Sequence, residues 1–290
     1  MVNEIVAIGY PFFTLLAFFW GACIGSFLNV CIYRIPRRLS VVAPRSHCPG
    51  CKNLIAWYDN IPLLSWVVLR ARCRHCGTVI SARYVIVELL TAILFLLAWF
   101  KFGATGGGRI LGLADVTVVG LVPVYWLILS GLLLGGFVDC RHMIIPDRVT
   151  IGGMLAGLVL SPLVPALHGQ ATALLGLRDA AIGAAFGFGL LWLIAKVGKM
   201  IFRKEAMGFG DVKLMGALGA FFGVKAVCFI LFFASLLGAL FGVFFILTGR
   251  RKLGRHIPFG PYIVFAALIW MLWGPRLMDA YMAFLAPPLM

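Results

Sequence analysis

The sequence predicts an all-α polytopic membrane protein of about eight transmembrane helices, interrupted by one small polar insertion between helices 1 and 2. Three observations predict it. The 290 residues are 62% hydrophobic with a mean hydropathy of +1.04, and only 12% are charged, half the share usual in soluble domains. Apolar runs of membrane-crossing length recur along the chain. The one sizeable polar stretch, residues 34–83, follows the first of these runs.

Hydropathy places the spans at 9–33, 84–102, 117–138, 149–167, 179–197, 210–224, 226–248 and 258–275. A helix needs ~20 residues to cross ~30 Å of hydrocarbon, so the sixth, glycine-rich and short, is the weakest match. With the N-terminus outside, the inside segments 34–83, 139–148, 196–213 and 249–257 carry 20 of the 25 Lys and Arg. Only Lys101, Arg109, Arg178, Lys225 and Arg276 are left outside. Basic residues favour the cytoplasmic side, which predicts both termini outside and the polar insertion in the cytoplasm. The same asymmetry accounts for the formal charge of +15 without a nucleic-acid partner. The first run contains Glu4, lacks a basic start and is too long for a signal-peptide core, so it reads as a retained helix. The predicted partition is therefore 1–33 as a first helix, 34–83 as a cytoplasmic domain and 84–290 as a membrane-embedded domain of seven further helices.

The insertion holds Cys48-Pro49-Gly50-Cys51 and Cys73-Arg74-His75-Cys76, two C-x2-C pairs separated by 21 residues. Two such knuckles can present four thiolates to one tetrahedral Zn²⁺. About fifty residues hold too little core to fold alone, and a structural metal supplies what is missing. A reducing cytosol disfavours disulfides here. These features predict a small zinc-binding cytoplasmic insertion with Cys48, Cys51, Cys73 and Cys76 as ligands. His47 and His75 lie beside a tetrahedron already filled by sulfur. Cys23, Cys31, Cys140 and Cys228 are scattered in or next to spans and read as small packing residues.

Among ten acids, Asp139 and Asp211 stand at the edges of long apolar runs. A carboxylate in or near a bilayer costs ~2.5–3.5 kcal/mol on insertion scales, so each is a candidate functional group. Glu4, Asp115, Asp179 and Asp279 fall near the outer side and read as surface residues or helix caps. Asp147 follows Pro146 and precedes an apolar run, the place of an N-cap. Asp139 ends a helix, where the macrodipole disfavours a carboxylate; its structural alternative is an ion pair with Arg141 or Arg148. Asp211 follows Gly208-Phe209-Gly210 and starts a helix, with capping as its structural alternative. Lys213 could pair with it or face lipid headgroups. The two helix ends act on the two acids in opposite senses, as an acid and base pair requires. Glu88 lies about a turn and a half into the second span, where it should face protein, with Tyr84 on the same helical face as a hydrogen-bond partner. The glycine run Gly106-Gly107-Gly108 lies between helices and reads as a flexible turn rather than a nucleotide loop.

A set of segments then resembles one family along most of the chain. It comprises Gly25-Ser26-Phe27-Leu28-Asn29-Val30-Cys31-Ile32-Tyr33-Arg34-Ile35-Pro36, the paired knuckles, Asn60-Ile61-Pro62-Leu63-Leu64-Ser65-Trp66, and Ile80-Ser81-Ala82-Arg83-Tyr84 with Glu88. The Asp139 segment, Gly208-Phe209-Gly210-Asp211-Val212-Lys213 and Pro258-Phe259-Gly260-Pro261 complete it. This set is similar to the type IV prepilin peptidases, bifunctional leader peptidase/N-methyltransferases of the GxGD class of intramembrane aspartic proteases. The resemblance implies that Asp139 and Asp211 are the catalytic pair, with Gly208, Gly210 and Lys213 supporting the catalytic loop. It implies cleavage of a short basic leader at the cytoplasmic face of a bacterial inner membrane, then methylation of the new N-terminus from S-adenosylmethionine, with Glu88, Arg83 and Tyr84 on the methyl-transfer side. Substrates would be type IV prepilins or type II secretion pseudopilins. The chain departs from the family at Val85, where proline is usual, and at Ala71-Arg72, where Gly-Lys is favoured. Both departures lie in the region associated with methyl transfer, which leaves a peptidase without methyltransferase activity as the alternative. A proton- or ion-coupled transporter fits less well, because both acids lie near one face and no inverted repeat is visible. A zinc metalloprotease lacks H-E-x-x-H, and four thiolates leave no open metal position. A non-enzymatic, zinc-scaffolded assembly factor is the remaining rival.

Overall fold

The computed structural model describes residues 2–103, 120–203, 207–248 and 258–285. The glycine run at 106–108, Asp115, Glu205, the basic segment 249–257 and the first residues of the third predicted span lie outside the described residues.

All regular elements among the described residues are helical. They are α1 (Val2–Arg34), α2 (Leu64–Val68), α3 (Arg83–Phe102), α4 (Leu121–His142), α5 (Asp147–Leu163), α6 (Ala173–Phe202), α7 (Phe209–Leu247) and α8 (Gly260–Leu285), with short 3-10 turns between them. Six of these are long and apolar enough to cross a membrane; α5, at 17 residues, falls just under that length. The 39 residues of α7 would run ~58 Å as one straight helix, nearly twice the hydrocarbon thickness. It is not straight. Gly223 has φ 76° and ψ −177°, a conformation closed to side-chain-bearing residues. A side chain at Gly187 of α6 would meet both Met215 and Val227, positions a straight helix would hold ~18 Å apart. The chain therefore reverses at Gly223, giving two antiparallel halves, 209–222 and 224–247. The result is eight long helical runs in the order the hydropathy predicts.

The chain forms two compact units, residues 1–134 and 135–290, with the division inside α4. In the first, α1 packs along α3. The ring of Trp126 stacks on Phe95 at 5.1 Å, and its indole N–H donates to the Phe95 carbonyl at 3.0 Å. In the second, α6 packs against both halves of α7, with α5 and α8 alongside. Backbone touches backbone where Gly183 meets Gly219. Helices in lipid associate through such close packing, because burial from water does not drive them together. Gly219→Ala puts a methyl group into the Gly183 carbonyl, and we expect it to cost ~1–3 kcal/mol as an overpacked contact. Gly189→Ala, with no neighbour within 4 Å, should be neutral or gain up to ~1 kcal/mol of helix propensity. Thermal unfolding of both variants in one detergent checks the pair.

Near the Gly223 turn, Ser161 Oγ lies 3.0 Å from His168 Nε2. This Ser–His pair is structural rather than nucleophilic: Ser161 is fully buried and donates to the Gly157 carbonyl at 2.7 Å. Burial pushes the His168 imidazole below its ordinary value. Of the scattered cysteines, Cys31 is buried as expected of a packing residue. Cys23, Cys140 and Cys228 are exposed on helix faces, contrary to that expectation. Apolar exposure costs nothing on a helix that faces lipid.

Candidate active site and cysteine cluster

Asp139 lies in the last turn of α4. That helix is closed by Met143, whose N–H bonds the Asp139 carbonyl at 2.9 Å while its own φ is 53°, a left-handed cap. Asp211 lies in the first turn of α7. Its N–H donates to the Gly208 carbonyl at 3.1 Å. Both acids are buried, Asp139 to 5% and Asp211 to 8% exposure. They come together although 72 positions separate them. Both line one cavity of ≈ 220 Å³, together with Ile144, Phe209, Asp147 and Lys213. Asp139 Oδ2 is buried with no hydrogen-bond partner among the described residues, and neither Arg141 nor Arg148 pairs with it. A second cavity of ≈ 290 Å³ shares Phe209 as a wall and continues past Trp192, Lys196 and Met207.

Two expectations are corrected here. Asp147 is not an N-cap. Pro146, in an extended conformation, takes the cap position and leaves Asp147 inside the first turn, where its side chain makes no cap bond. Its carboxylate instead accepts from Lys213 Nζ at 2.7 Å, so Lys213 pairs with Asp147 rather than Asp211. Lys213 also sits over the Phe209 ring at 5.2 Å. Sequence reasoning assigned no role to Ile145 or Gly260. Gly210 packs on Ile145, and Ile145 in turn reaches Gly260 at the start of α8. The backbone of Gly260 acts on the Asp139 carboxylate, and a side chain there would meet Asp139 Oδ2 at 2.6 Å. Asp139 thus meets the end of α4 and the beginning of α8 together, so its field is set by two helix termini rather than one. The motif Pro258-Phe259-Gly260-Pro261 was visible in the sequence, but not its target.

The four cysteines converge in the other unit. Their sulfurs all lie within 4.8 Å of one another, and Cys48 Sγ is 3.7 Å from Cys76 Sγ. A tetrahedron with ~2.3 Å zinc–sulfur bonds has edges of ~3.8 Å. The two knuckles repeat one backbone pattern. Cys48 N–H bonds the Asn53 carbonyl and Lys52 N–H the Cys48 carbonyl, while Cys73 N–H bonds Thr78 and Gly77 N–H bonds Cys73 in the same way. Lys52 and Gly77 are both left-handed. Hydrogen bonds from the Thr78 hydroxyl and then its N–H hold the Cys76 thiol at about 6. The Asn53 N–H favours a Cys51 thiolate too, but burial and the neighbouring sulfurs outweigh it and push Cys51 to about 11. Four sulfurs this close cannot all ionise unaided, so the donor set fits a cation. Arg74 adds a fork of hydrogen bonds to Asp59 at 2.6–3.1 Å and holds that carboxyl below the usual carboxylate range. Ala71 adopts φ 57°, a left-handed conformation that favours glycine, which is a physical reason for glycine to be common at this place.

Glu88, 8% exposed, does not bond Tyr84. Its Oε2 accepts the Leu63 N–H at 2.8 Å, and the Tyr84 ring lies instead under the Arg83 guanidinium at 5.3 Å. Asn29 Nδ2 donates to the Tyr84 carbonyl at 3.0 Å, while Asn29 Oδ1 and Arg83 Nε are buried without a partner among the described residues.

Residues 19–102 match the bacterial peptidase A24 N-terminal domain, and residues 126–243 match the type IV leader peptidase family. A prepilin leader peptidase/N-methyltransferase of Aeromonas salmonicida is 36% identical, over 92% of this chain and 93% of its own. The chain belongs to the type IV leader peptidase family. A second leader peptidase, from Myxococcus xanthus, is 44% identical over 83% of this chain and 65% of its own length, so the chain spans somewhat under two thirds of that relative. A third, from Pseudomonas aeruginosa, is 32% identical over 94% of both. All three carry the name prepilin leader peptidase/N-methyltransferase. No solved structure matches the chain significantly. The matched N-terminal domain contains the cysteine cluster and Glu88, and the leader peptidase match contains both Asp139 and Asp211.

Proposed function

We propose that Asp139 and Asp211 are the catalytic pair of this leader peptidase. The observation that carries the reading is their geometry: two buried carboxylates from separate helices of one unit, lining one cavity. One carboxylate takes a proton from a water that attacks the scissile carbonyl, and the other, protonated, donates to the departing group. A cavity of ≈ 220 Å³ has room for that water and for a stretch of peptide. The Gly208 carbonyl accepts the Asp211 N–H, Gly210 lets the first turn of α7 pack on Ile145, and Lys213 fixes the start of α7 through Asp147.

The substrates are type IV prepilins or type II secretion pseudopilins. The protein is a multi-pass enzyme of the bacterial inner membrane with both termini outside. The cysteine domain, residues 34–83, and the mouth of the aspartate site face the cytoplasm, as the charge distribution supports. Residues 1–33 form the first transmembrane helix and 84–290 the protease domain. The metal is structural Zn²⁺ held by Cys48, Cys51, Cys73 and Cys76. S-adenosylmethionine supplies the methyl group for the new N-terminus when bound. Glu88, Arg83 and Tyr84 serve that step, a reading supported by the unpartnered buried atoms of Asn29 and Arg83 beside them, which suit a polar ligand.

Mass spectrometry of a prepilin from cells with and without this chain tests the reading. The expected product has lost its leader and gained one methyl group. A leader removed equally in both strains, or retained in both, sinks it. For the metal, elemental analysis should return about one zinc per purified chain, and Cys48→Ser with Cys73→Ser should release it. Stoichiometric iron in place of zinc would overturn the assignment.

A further inference from the structure

The polar insertion carries an apolar face that its own fold does not cover. In α2, Leu64, Val67 and Val68 are 55%, 64% and 63% exposed. Their i, i+3, i+4 spacing puts them on one side of the helix. The other side is tied inward: Ser65 Oγ donates to the Tyr58 carbonyl at 3.1 Å, and the Trp66 indole N–H donates to the Ile80 carbonyl at 3.4 Å. Trp57, just before α2, is 74% exposed. Arg70 and Arg72 follow α2, and both are exposed. A cytosolic surface of this composition would be an aggregation liability.

The tether from Glu88 says where this face lies. α3 has 20 residues, ~30 Å, the thickness of the hydrocarbon core, so Arg83 at its start marks the membrane boundary. Glu88 is five residues further in, ~7 Å along the axis, and its side chain leans back toward the helix start. Glu88 Oε2 holds the Leu63 N–H, the residue immediately before α2. Leu63 takes φ 64° and ψ −51°, a strained conformation for leucine that the tether helps to hold. The first turn of α2 is therefore pinned at the level of the boundary of α3, with its apolar side outward and its basic residues after it.

We propose that α2 is an interfacial membrane anchor, with Leu64, Val67 and Val68 seated among the acyl chains just beneath the headgroups of the protein's own bilayer. Trp57 takes the headgroup level, where tryptophan is enriched, and Arg70 and Arg72 meet lipid phosphates. The insertion is then half-embedded at the membrane surface, held from below by α2 and from the side by Glu88. This inference rests on the tether and on α3 as a membrane helix, and is independent of the peptidase reading.

The full chain in lipid nanodiscs tests it, with a phospholipid carrying a diazirine near the top of its acyl chain and, separately, a water-borne carbene reagent. Peptides covering 57–69 should take the lipid label at least ~3-fold more than peptides covering 46–54 of the first knuckle, as an interfacial helix requires. Leu64→Glu with Val68→Glu should lose that label and gain the aqueous one, with the metal content of the cysteine cluster unchanged as a check on folding. The proposal is overturned if 57–69 is labelled from water and not from lipid. Protection from both reagents overturns it too, since a protein partner would then cover the face, as does a lipid label that the double substitution leaves unchanged.

Discussion

Asp139→Asn and Asp211→Asn each yield a folded chain that no longer cleaves a prepilin. A proton-transferring carboxylate is worth ~10²–10⁴ in rate, and each substitution removes one while keeping its shape. The double variant should be no slower than the worse single one, because two groups that act as a unit are not additive when removed. Stability should change little, because Asn keeps the size and shape of Asp and replaces a buried acid by a neutral amide. Asp147→Asn is the discriminating control. Asp147 lines the same cavity, but its side chain is 64% exposed and it serves as the partner of Lys213. An exposed pair of this kind is worth ~0–1 kcal/mol, so cleavage should change only a few-fold. Initial rates in detergent, beside thermal unfolding of the same samples, read all three. Wild-type-like cleavage by either Asp139→Asn or Asp211→Asn would remove the aspartic assignment.

What the sequence made legible follows the strength of its local signals. Eight runs, including the short sixth, were visible because bilayer thickness imposes a length on each; the reversal at Gly223 lies inside the sixth predicted span, 210–224, two residues before the break placed at 225. The four cysteines were legible because metal geometry fixes their spacing. Asp139 and Asp211 stood out because acids are costly in apolar surroundings. Asp147 was misread because its local context, a proline and then a helix, is that of a cap, whereas its partner Lys213 comes from 66 positions away. Glu88 was misread for the same reason: Tyr84 is the local partner, but Leu63 lies across a loop. Ile145 carried no signal, since an isoleucine beside a proline is ordinary until three helix termini converge on it. Long-range partnership is the information a single chain read in order does not display.

The second large effect belongs to Gly260, where close packing meets the chemistry. A Cβ at this position would lie 2.6 Å from Asp139 Oδ2, 3.0 Å from its Cγ and 3.2 Å from Ile145 Cδ1. Neither neighbour can yield freely. Ile145 is itself wedged against Gly135 and Gly210, and the Asp139 carboxylate is buried on a helix whose last turn is closed by Met143. The carboxylate must therefore shift by about 1 Å, and a misplacement of that size can cost ~10²-fold in rate. We expect Gly260→Ala to lower kcat by ~10²-fold with KM nearly unchanged, because the substitution moves a reacting group and leaves the rest of the cavity wall in place. Gly238→Ala separates this from a general packing defect. Gly238 faces Tyr262 and Phe259 near the same end of α8, but its added methyl would find its nearest neighbour at 3.7 Å, an ordinary contact. That variant should keep wild-type kcat and unfolding temperature. If Gly260→Ala instead raises KM alone, or loses activity only in step with its unfolding temperature, then Gly260 shapes the binding surface or the fold and does not set the position of Asp139.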